Sequence, residues 1–305
     1  MVENKIIDWA SPMSDFFNFL DLMVSVLRCS SPLLLAALAG LYSERSGVIQ
    51  ISLEGFMLAG AFSAASFASF IGSGAYGMVF ASLVGLVCAL CYGLLVIGLK
   101  VDQIIAGTVI NMLAWGGIPI ISKVVFGSSA STPALDISVR LPSWFPIVLA
   151  LIAFALTTFL FRRTALGLWL TFAGENPGAL QSVGVSVFRI RWFAVCTSGV
   201  LAALGGAALS VCLSSSYTRN MTAGRGFMAL AALILGKWRP VEAFFACLLF
   251  GASDVLQMRL QGASLPIFGA LPNQLVQVLP YALTLLLLTG MIGRSSAPAK
   301  LGQPF

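Results

Sequence analysis

Residues 174–184 read Gly174-Glu175-Asn176-Pro177-Gly178-Ala179-Leu180-Gln181-Ser182-Val183-Gly184 and lie between two apolar runs of membrane-spanning length. Asn176 stands at an N-cap position, Pro177 at the first helical position and Gly184 where a helix would stop, which predicts a short helix of about two turns. Basic residues flank the stretch: Arg162 and Arg163 before it, Arg189 and Arg191 after it. Because basic residues next to spans mark the cytoplasmic side, residues 162–191 are predicted to form a cytoplasmic island that suits docking of a partner.

The composition places the chain in a membrane. Hydrophobic residues make up 59% of it and charged residues only 9%, and mean hydropathy is +0.97, whereas soluble domains are about 25% charged. We therefore expect an all-α polytopic membrane protein, with residues 1–305 as a single transmembrane domain. The net charge is +6, but the basic residues sit singly or in pairs at the ends of apolar runs. Without a basic stripe, nucleic acid is not expected as a partner.

The apolar runs predict eight to ten transmembrane helices, some of them short or broken. The charge-free run from Gly55 to Leu99 is long enough for two spans at about 20 residues each, with the turn at residues 71–74. Residues 226–236 are too few to cross about 30 Å of hydrocarbon. Further spans are predicted up to Leu41, at 103–122, up to Phe161, from 192 to Ser215, at 241–260 and at 273–293.

Two segments share a pattern: residues 45–61 and 225–236 each begin with an arginine- and glycine-containing break and continue with small apolar residues. Corresponding interrupted segments in two halves are typical of transporters with internal repeats. Chance similarity and simple glycine-mediated helix packing are the alternatives.

Enzyme chemistry finds little support in the sequence. No histidine is present, so Ser-His and Cys-His pairs and histidine-ligated metals are excluded. The six cysteines all lie in apolar stretches, where cysteine behaves as a small hydrophobe. A G-x-x-x-x-G-K-[ST] phosphate-binding loop is absent, so any ATP hydrolysis must occur on another subunit. No catalytic residue, metal or cofactor is predicted.

Four stretches, in order, resemble the permease subunits of bacterial ABC importers, in the branch linked to nucleosides and simple sugars. They are residues 43–55, the Gly174-Glu175-Asn176-Pro177 stretch, Met221 to Phe227, and Leu279-Pro280-Tyr281 with Ile292-Gly293-Arg294. Gln50 and Ser52 stand where that family commonly has Asn and Gly.

The resemblance implies a multi-pass protein of the bacterial inner membrane with alternating access. It also implies that Gly174, Glu175, Asn176, Pro177 and Gly184 form a coupling helix seated in a groove of an ABC ATPase subunit. The other implied partners are a second permease, identical or homologous, and an extracytoplasmic solute-binding protein. The implied solutes are nucleosides, with simple sugars as the alternative. A neutral, polar small-molecule solute is also what the few charges of the spans favour.

Three residues are candidates for the substrate pathway: Glu54, Asn111 and Trp115. An ionisable residue at the edge of a span is a functional candidate, but Glu54 could instead form an ion pair with Arg45 or Arg225. Asn111 and Trp115 share one helical face and could contact the solute. The alternatives are an interhelical hydrogen bond for Asn111 and interfacial anchoring for Trp115.

Charged residues inside the predicted spans leave two questions open: a rival function and the placement of Arg28. One rival function is a secondary transporter driven by an ion gradient, with Glu54 or Asp254 as the proton carrier. Arg28 lies inside the first predicted span, so it either turns toward protein or a lipid headgroup or snorkels to the membrane surface.

Overall fold

The computed structural model describes residues 10–260, 264–265, 269–270, 278, 282 and 297–303, with side chains from residue 20 to 260, at 278 and 282, and over 297–303. Ten α-helices run in the order α1 (Ala10–Arg45), α2 (Leu53–Ile71), α3 (Gly74–Gly93), α4 (Gln103–Phe126), α5 (Phe145–Arg163), α6 (Ala165–Glu175), α7 (Pro177–Ser182), α8 (Val187–Ala207), α9 (Arg225–Leu235) and α10 (Pro240–Leu260). Single π-helical segments, Leu94–Gly98 and Ala208–Leu213, extend α3 and α8. The two-residue strands β1 (Ser264–Leu265) and β2 (Gly269–Ala270) pair antiparallel.

Within these described residues, seven helices are long and apolar enough to cross a membrane: α1, α2, α3, α4, α5, α8 and α10. The all-α multi-pass class is therefore confirmed. Helix α9 has only 11 residues, as the sequence predicts for a short segment. The turn at residues 71–74 is also confirmed, because α2 ends at Ile71 and Gly72 takes a left-handed conformation with φ of 75°. Apart from residues 278 and 282, the predicted span at 273–293 lies outside the described residues.

Helix α8 is the centre of the bundle and packs against α1, α2 and α3. Glycines let these backbones approach: a Cβ added at Gly60 would lie 2.2 Å from the Ala203 carbonyl oxygen, and one at Gly206 would lie 1.8 Å from that of Met57. Small residues at such contacts drive helix association in membranes, where dispersion replaces the hydrophobic effect. The first turn of α2 is buried inside this bundle.

The predicted cytoplasmic island, residues 162–191, holds two helices rather than one. Thr164 caps α6, since its side chain accepts a hydrogen bond from the Gly167 amide. Leu170 lies fully buried on the apolar face of α6. Gly174 and Glu175 therefore belong to the last turn of α6, whereas the predicted short helix is α7, six residues long. The sequence missed α6 because its residues are as apolar as the adjoining span.

Candidate functional site: a buried carboxylate and a cytoplasmic junction

The N-termini of two helices, α2 and α9, meet inside the bundle. Their first turns have similar sequences, Glu54-Gly55-Phe56-Met57 and Arg225-Gly226-Phe227-Met228. With the island taken as cytoplasmic, α4 begins on the cytoplasmic side, and Asn111 lies about 12 Å into it at 1.5 Å per residue. The Gly55 amide donates to Asn111 Oδ1 over 2.8 Å, so this meeting point lies at a similar depth in the membrane.

The carboxylate of Glu54 holds the start of α9. Its Oε1 accepts hydrogen bonds from Thr222 Oγ1 at 2.6 Å and from the Gly224 amide at 2.9 Å. Its Oε2 accepts from the Gly226 amide at 2.7 Å, and the side chain is fully buried. The first amides of a helix lack intrahelical partners and carry a partial positive charge, so an anion is stabilised there. We call Glu54, Thr222, Gly224 and Gly226 the Glu54 clasp.

The alternative in which Glu54 forms an ion pair with Arg45 or Arg225 is not what the structure shows. Arg225 Nη2 lies 3.7 Å from Asp254 Oδ2, and Arg45 Nη1 lies 3.9 Å from Glu175 Oε1. Glu54 instead accepts hydrogen bonds from neutral donors, because the peptide N–H groups at the N-terminus of α9 already supply a positive potential. The carboxylate nevertheless joins the two interrupted segments, which is the structural role that the ion pair would have had.

Asn111 is engaged within the protein. Besides accepting from Gly55, it donates from Nδ2 to the Ile51 carbonyl oxygen over 3.0 Å, and it is buried. Both ends of its amide thus fix the backbone that leads into α2. Trp115, one turn further along α4, is 41% exposed and lines a separate cavity of about 280 Å³ with Tyr217 and Arg219. The structure therefore does not bring Asn111 and Trp115 into one pocket, and their pathway roles stay predictions.

The cap of α7 forms as the sequence predicts. Asn176 Oδ1 accepts a hydrogen bond from the Ala179 amide at 3.2 Å, and Pro177 is the first helical residue. The helix ends at Ser182, and Gly184 follows with a left-handed φ of 83°. Leu180 is buried against α6 and α8, while Val183 is 76% exposed. The result is a short, capped helix with its tip open to contact.

A second set of contacts ties α6 to the turn after α1. The Gly174 carbonyl oxygen accepts from the Lys300 amide at 2.8 Å, and that of Gly47 accepts from the Gly302 amide at 3.0 Å. A Cβ added at Gly174 would lie 2.4 Å from the Arg45 carbonyl oxygen. We call residues 45–47, 174–175 and 299–303 the cytoplasmic junction, after the predicted side of the membrane; it joins the island, the α1–α2 connection and the C-terminal segment.

Glu175 and Arg191 complete the cytoplasmic junction. Glu175 Oε2 accepts from the Ala299 amide at 3.2 Å, so its carboxylate serves the C-terminal segment rather than the N-terminus of α7. Arg191, which is buried, donates from Nε to the Ser46 carbonyl oxygen and from Nη1 to that of Gln303, both at 3.1 Å. Sequence reasoning used Arg191 only as a marker of topology, since nothing local signals partners so distant in the chain.

Together, an all-helical multi-pass bundle, two interrupted segments joined inside it and a short capped helix between spans are typical of a membrane permease. The chain belongs to the family described as branched-chain amino acid transport system / permease component, whose family model matches residues 22–288.

Three relatives show which transporters the chain resembles. It is 34% identical over 315 aligned positions to the guanosine ABC transporter permease protein NupQ of Bacillus subtilis, covering 95% of this chain and 98% of the relative. It is 30% identical to the nucleoside ABC transporter permease protein NupC of Lactococcus lactis, covering 92% and 95%. It is also 30% identical to the putative glucose ABC transporter permease protein TsgC13 of Haloferax volcanii, covering 90% and 93%. No solved structure matches the chain.

These findings do not support the ion-gradient alternative. The relatives are named as ABC transporter permeases, Glu54 is held by three donors, and Asp254 lies beside Arg225.

Proposed function

We propose that this chain is the permease subunit of an ABC importer that carries nucleosides across the bacterial inner membrane by alternating access. The names of two relatives that align over more than nine-tenths of the chain support this substrate class. Simple sugars are the second candidate, supported by the name of the Haloferax volcanii relative. A neutral solute also fits spans whose buried polar groups are mostly hydroxyls and amides.

The island is proposed to dock an ABC ATPase subunit, with Gly174, Glu175, Asn176, Pro177 and Gly184 as the coupling residues. One observation carries this mechanism. The end of α6, just before α7, is hydrogen-bonded to the C-terminal segment, which is hydrogen-bonded in turn to the turn after α1. That turn leads into α2 and the Glu54 clasp. A push on α7 therefore reaches the interrupted segments through packed backbone rather than through a flexible loop. ATP-driven closure of the ATPase would bias the bundle between its outward- and inward-facing states.

The remaining partners complete the cycle. ATP is hydrolysed on the separate ATPase subunit, because this chain has no phosphate-binding loop. A second permease, identical or homologous, forms the other half of the pathway. An extracytoplasmic solute-binding protein delivers the solute to the outer face.

The test is uptake by vesicles that contain the reconstituted complex. Labelled guanosine, adenosine, uridine and ribose are supplied with the binding protein, with and without ATP inside. We expect nucleoside uptake that requires ATP and survives collapse of the proton gradient by an ionophore. Uptake of charged amino acids alone would refute the substrate class, and gradient-driven uptake by this subunit alone would refute the importer mechanism.

A further inference from the structure

A cavity of about 620 Å³ opens between the outer ends of α1, α8 and α10. This volume lies within the range of about 300–1,000 Å³ that small-molecule sites occupy. Met221 and Arg225 form part of its wall; Met221 precedes Thr222, and Arg225 lies between Gly224 and Gly226, the three residues that donate to Glu54. The cavity, which we call the outer vestibule, thus lies on the outer side of the Glu54 clasp, where an importer must first hold its solute.

Four arginines line the outer vestibule: Arg28 from α1, Arg140 from the outer loop, Arg225 at the start of α9 and Arg259 at the end of α10. Arg225 is engaged, since it lies beside Asp254 and donates to the Met221 carbonyl oxygen over 3.3 Å. Arg28 and Arg140 differ: the Nε atom of each is buried and has no hydrogen-bond partner in the part of the chain that the structure describes. A buried donor without an acceptor is costly, so these two guanidinium groups favour a ligand that brings acceptors.

The chemistry of arginine limits the kinds of ligand that the outer vestibule can bind. A guanidinium group has five N–H donors in a planar fork and no acceptor, so it pairs best with two acceptors side by side. In guanine, O6 and N7 form such a pair, and arginine binds them in a bidentate manner. Adenine offers N7 beside the N6 amino group, which is a donor and faces the guanidinium unfavourably. Hypoxanthine shares the guanine edge.

We propose that the outer vestibule selects 6-oxopurine nucleosides, with Arg28 and Arg140 as the groups that read the O6/N7 edge. This inference rests on the proposed nucleoside import and adds the site and the base class. The partly buried position of both arginines favours a small ligand over a docked protein, which would meet exposed side chains on a rim. It also explains why Arg28 interrupts an apolar span: the side chain faces the vestibule instead of lipid.

The experiment separates permease selectivity from that of the binding protein. The binding protein is saturated in turn with guanosine, inosine or adenosine, so that its own affinities do not enter, and ATP-driven uptake is measured in vesicles of the full complex. Arg28→Lys and Arg140→Lys keep the charge but lose the fork, whereas Arg28→Gln and Arg140→Gln lose both. Lys123→Gln is the matched control, because Lys123 is an exposed cation at the outer end of α4 that does not line the vestibule.

We expect each glutamine variant to lower the guanosine-to-adenosine uptake ratio by roughly ten-fold, the low end of what one bidentate contact discriminates, and each lysine variant to lower it less, because lysine can also donate to O6 and N7. Adenosine uptake and membrane insertion should stay near wild type, and Lys123→Gln should change neither. With 7-deazaguanosine, which lacks N7, wild type should already show the reduced ratio, and the arginine variants should reduce it little further.

Three results would overturn the inference. They are an unchanged ratio in all arginine variants, an equal loss for guanosine and adenosine, and stronger competition by guanosine monophosphate or phosphate than by guanosine. The last would indicate a site for anions. Failure of wild type to take up any nucleoside would instead refute the proposed function itself, so the two failures are distinguishable.

Discussion

Replacing Glu54 by glutamine tests the Glu54 clasp with a change of one atom. The remaining oxygen can keep the contacts of Oε1 with Thr222 and Gly224, but the new amino group faces the Gly226 amide, so that two donors meet. Gly226 is among the first residues of α9, where no intrahelical acceptor exists. Leaving this buried donor unpaired and removing the charge should cost about 2 kcal/mol.

This cost has a direct measure in amide hydrogen exchange. A loss of about 2 kcal/mol makes local opening about 30-fold more frequent. Peptides that contain Gly226 should therefore exchange about 30-fold faster in Glu54→Gln than in wild type. Peptides from the core of α8 should keep their protection, because their contacts are untouched.

Glu242→Gln is the matched control, since Glu242, in the first turn of α10, pairs with the exposed Arg239 over 3.4 Å. Such pairs contribute little to stability, so exchange at Gly226 should not change. If Glu54→Gln left Gly226 as protected as in wild type, the carboxylate would not be what holds α9. Solute uptake should also fall in Glu54→Gln while keeping its ATP requirement and its pH dependence, because the residue acts as a hydrogen-bond acceptor and not as a proton carrier.

Three further predictions concern the cytoplasmic side and the helix contact. Asn176→Ala should cost about 1 kcal/mol of local stability. Gly184→Val should destabilise the region more, because a β-branched residue fits a φ of 83° poorly. Both variants should lower ATPase co-purification and solute-stimulated hydrolysis without loss of membrane insertion. Glu175→Lys should weaken the same stimulation, since it removes the acceptor of the Ala299 amide and repels Arg45. Gly226→Ala should lower the unfolding temperature, because its Cβ would lie 2.5 Å from the Glu54 amide nitrogen.

Each of these predictions has a control variant in the same chain. Ser129→Ala in the outer loop should leave ATPase recruitment and stimulation intact, and full recruitment and stimulation in the three island variants would show that the island is only a linker. Gly178→Ala should be tolerated, since the added Cβ would have only Asn176 Oδ1 nearby, at 3.6 Å. An unfolding temperature of Gly226→Ala equal to that of Gly178→Ala would contradict the tight contact between α2 and α9.

The features that the sequence by itself determined are those that depend on local properties of the chain. The lengths of the apolar runs predict the membrane class and the positions of the spans, including the turn at Gly72, because hydrocarbon thickness requires a certain number of residues. Asn176, Pro177 and Gly184 predict α7, because a cap acts on amides within a few residues of it. The helix α6 escaped detection for the same local reason, since its composition matches that of a span.

Only the tertiary structure decided where the polar groups of the two interrupted segments find their partners. Sequence reasoning left Glu54 either a pathway role or an ion pair with an arginine, yet its donors are a hydroxyl and two amides 168 to 172 residues away. Arg191 joins Ser46 and Gln303, which are 145 and 112 residues away from it, and no spacing rule connects them. A buried polar group must find a partner, but which one it meets depends on how the helices pack, and that packing is a property of the whole chain.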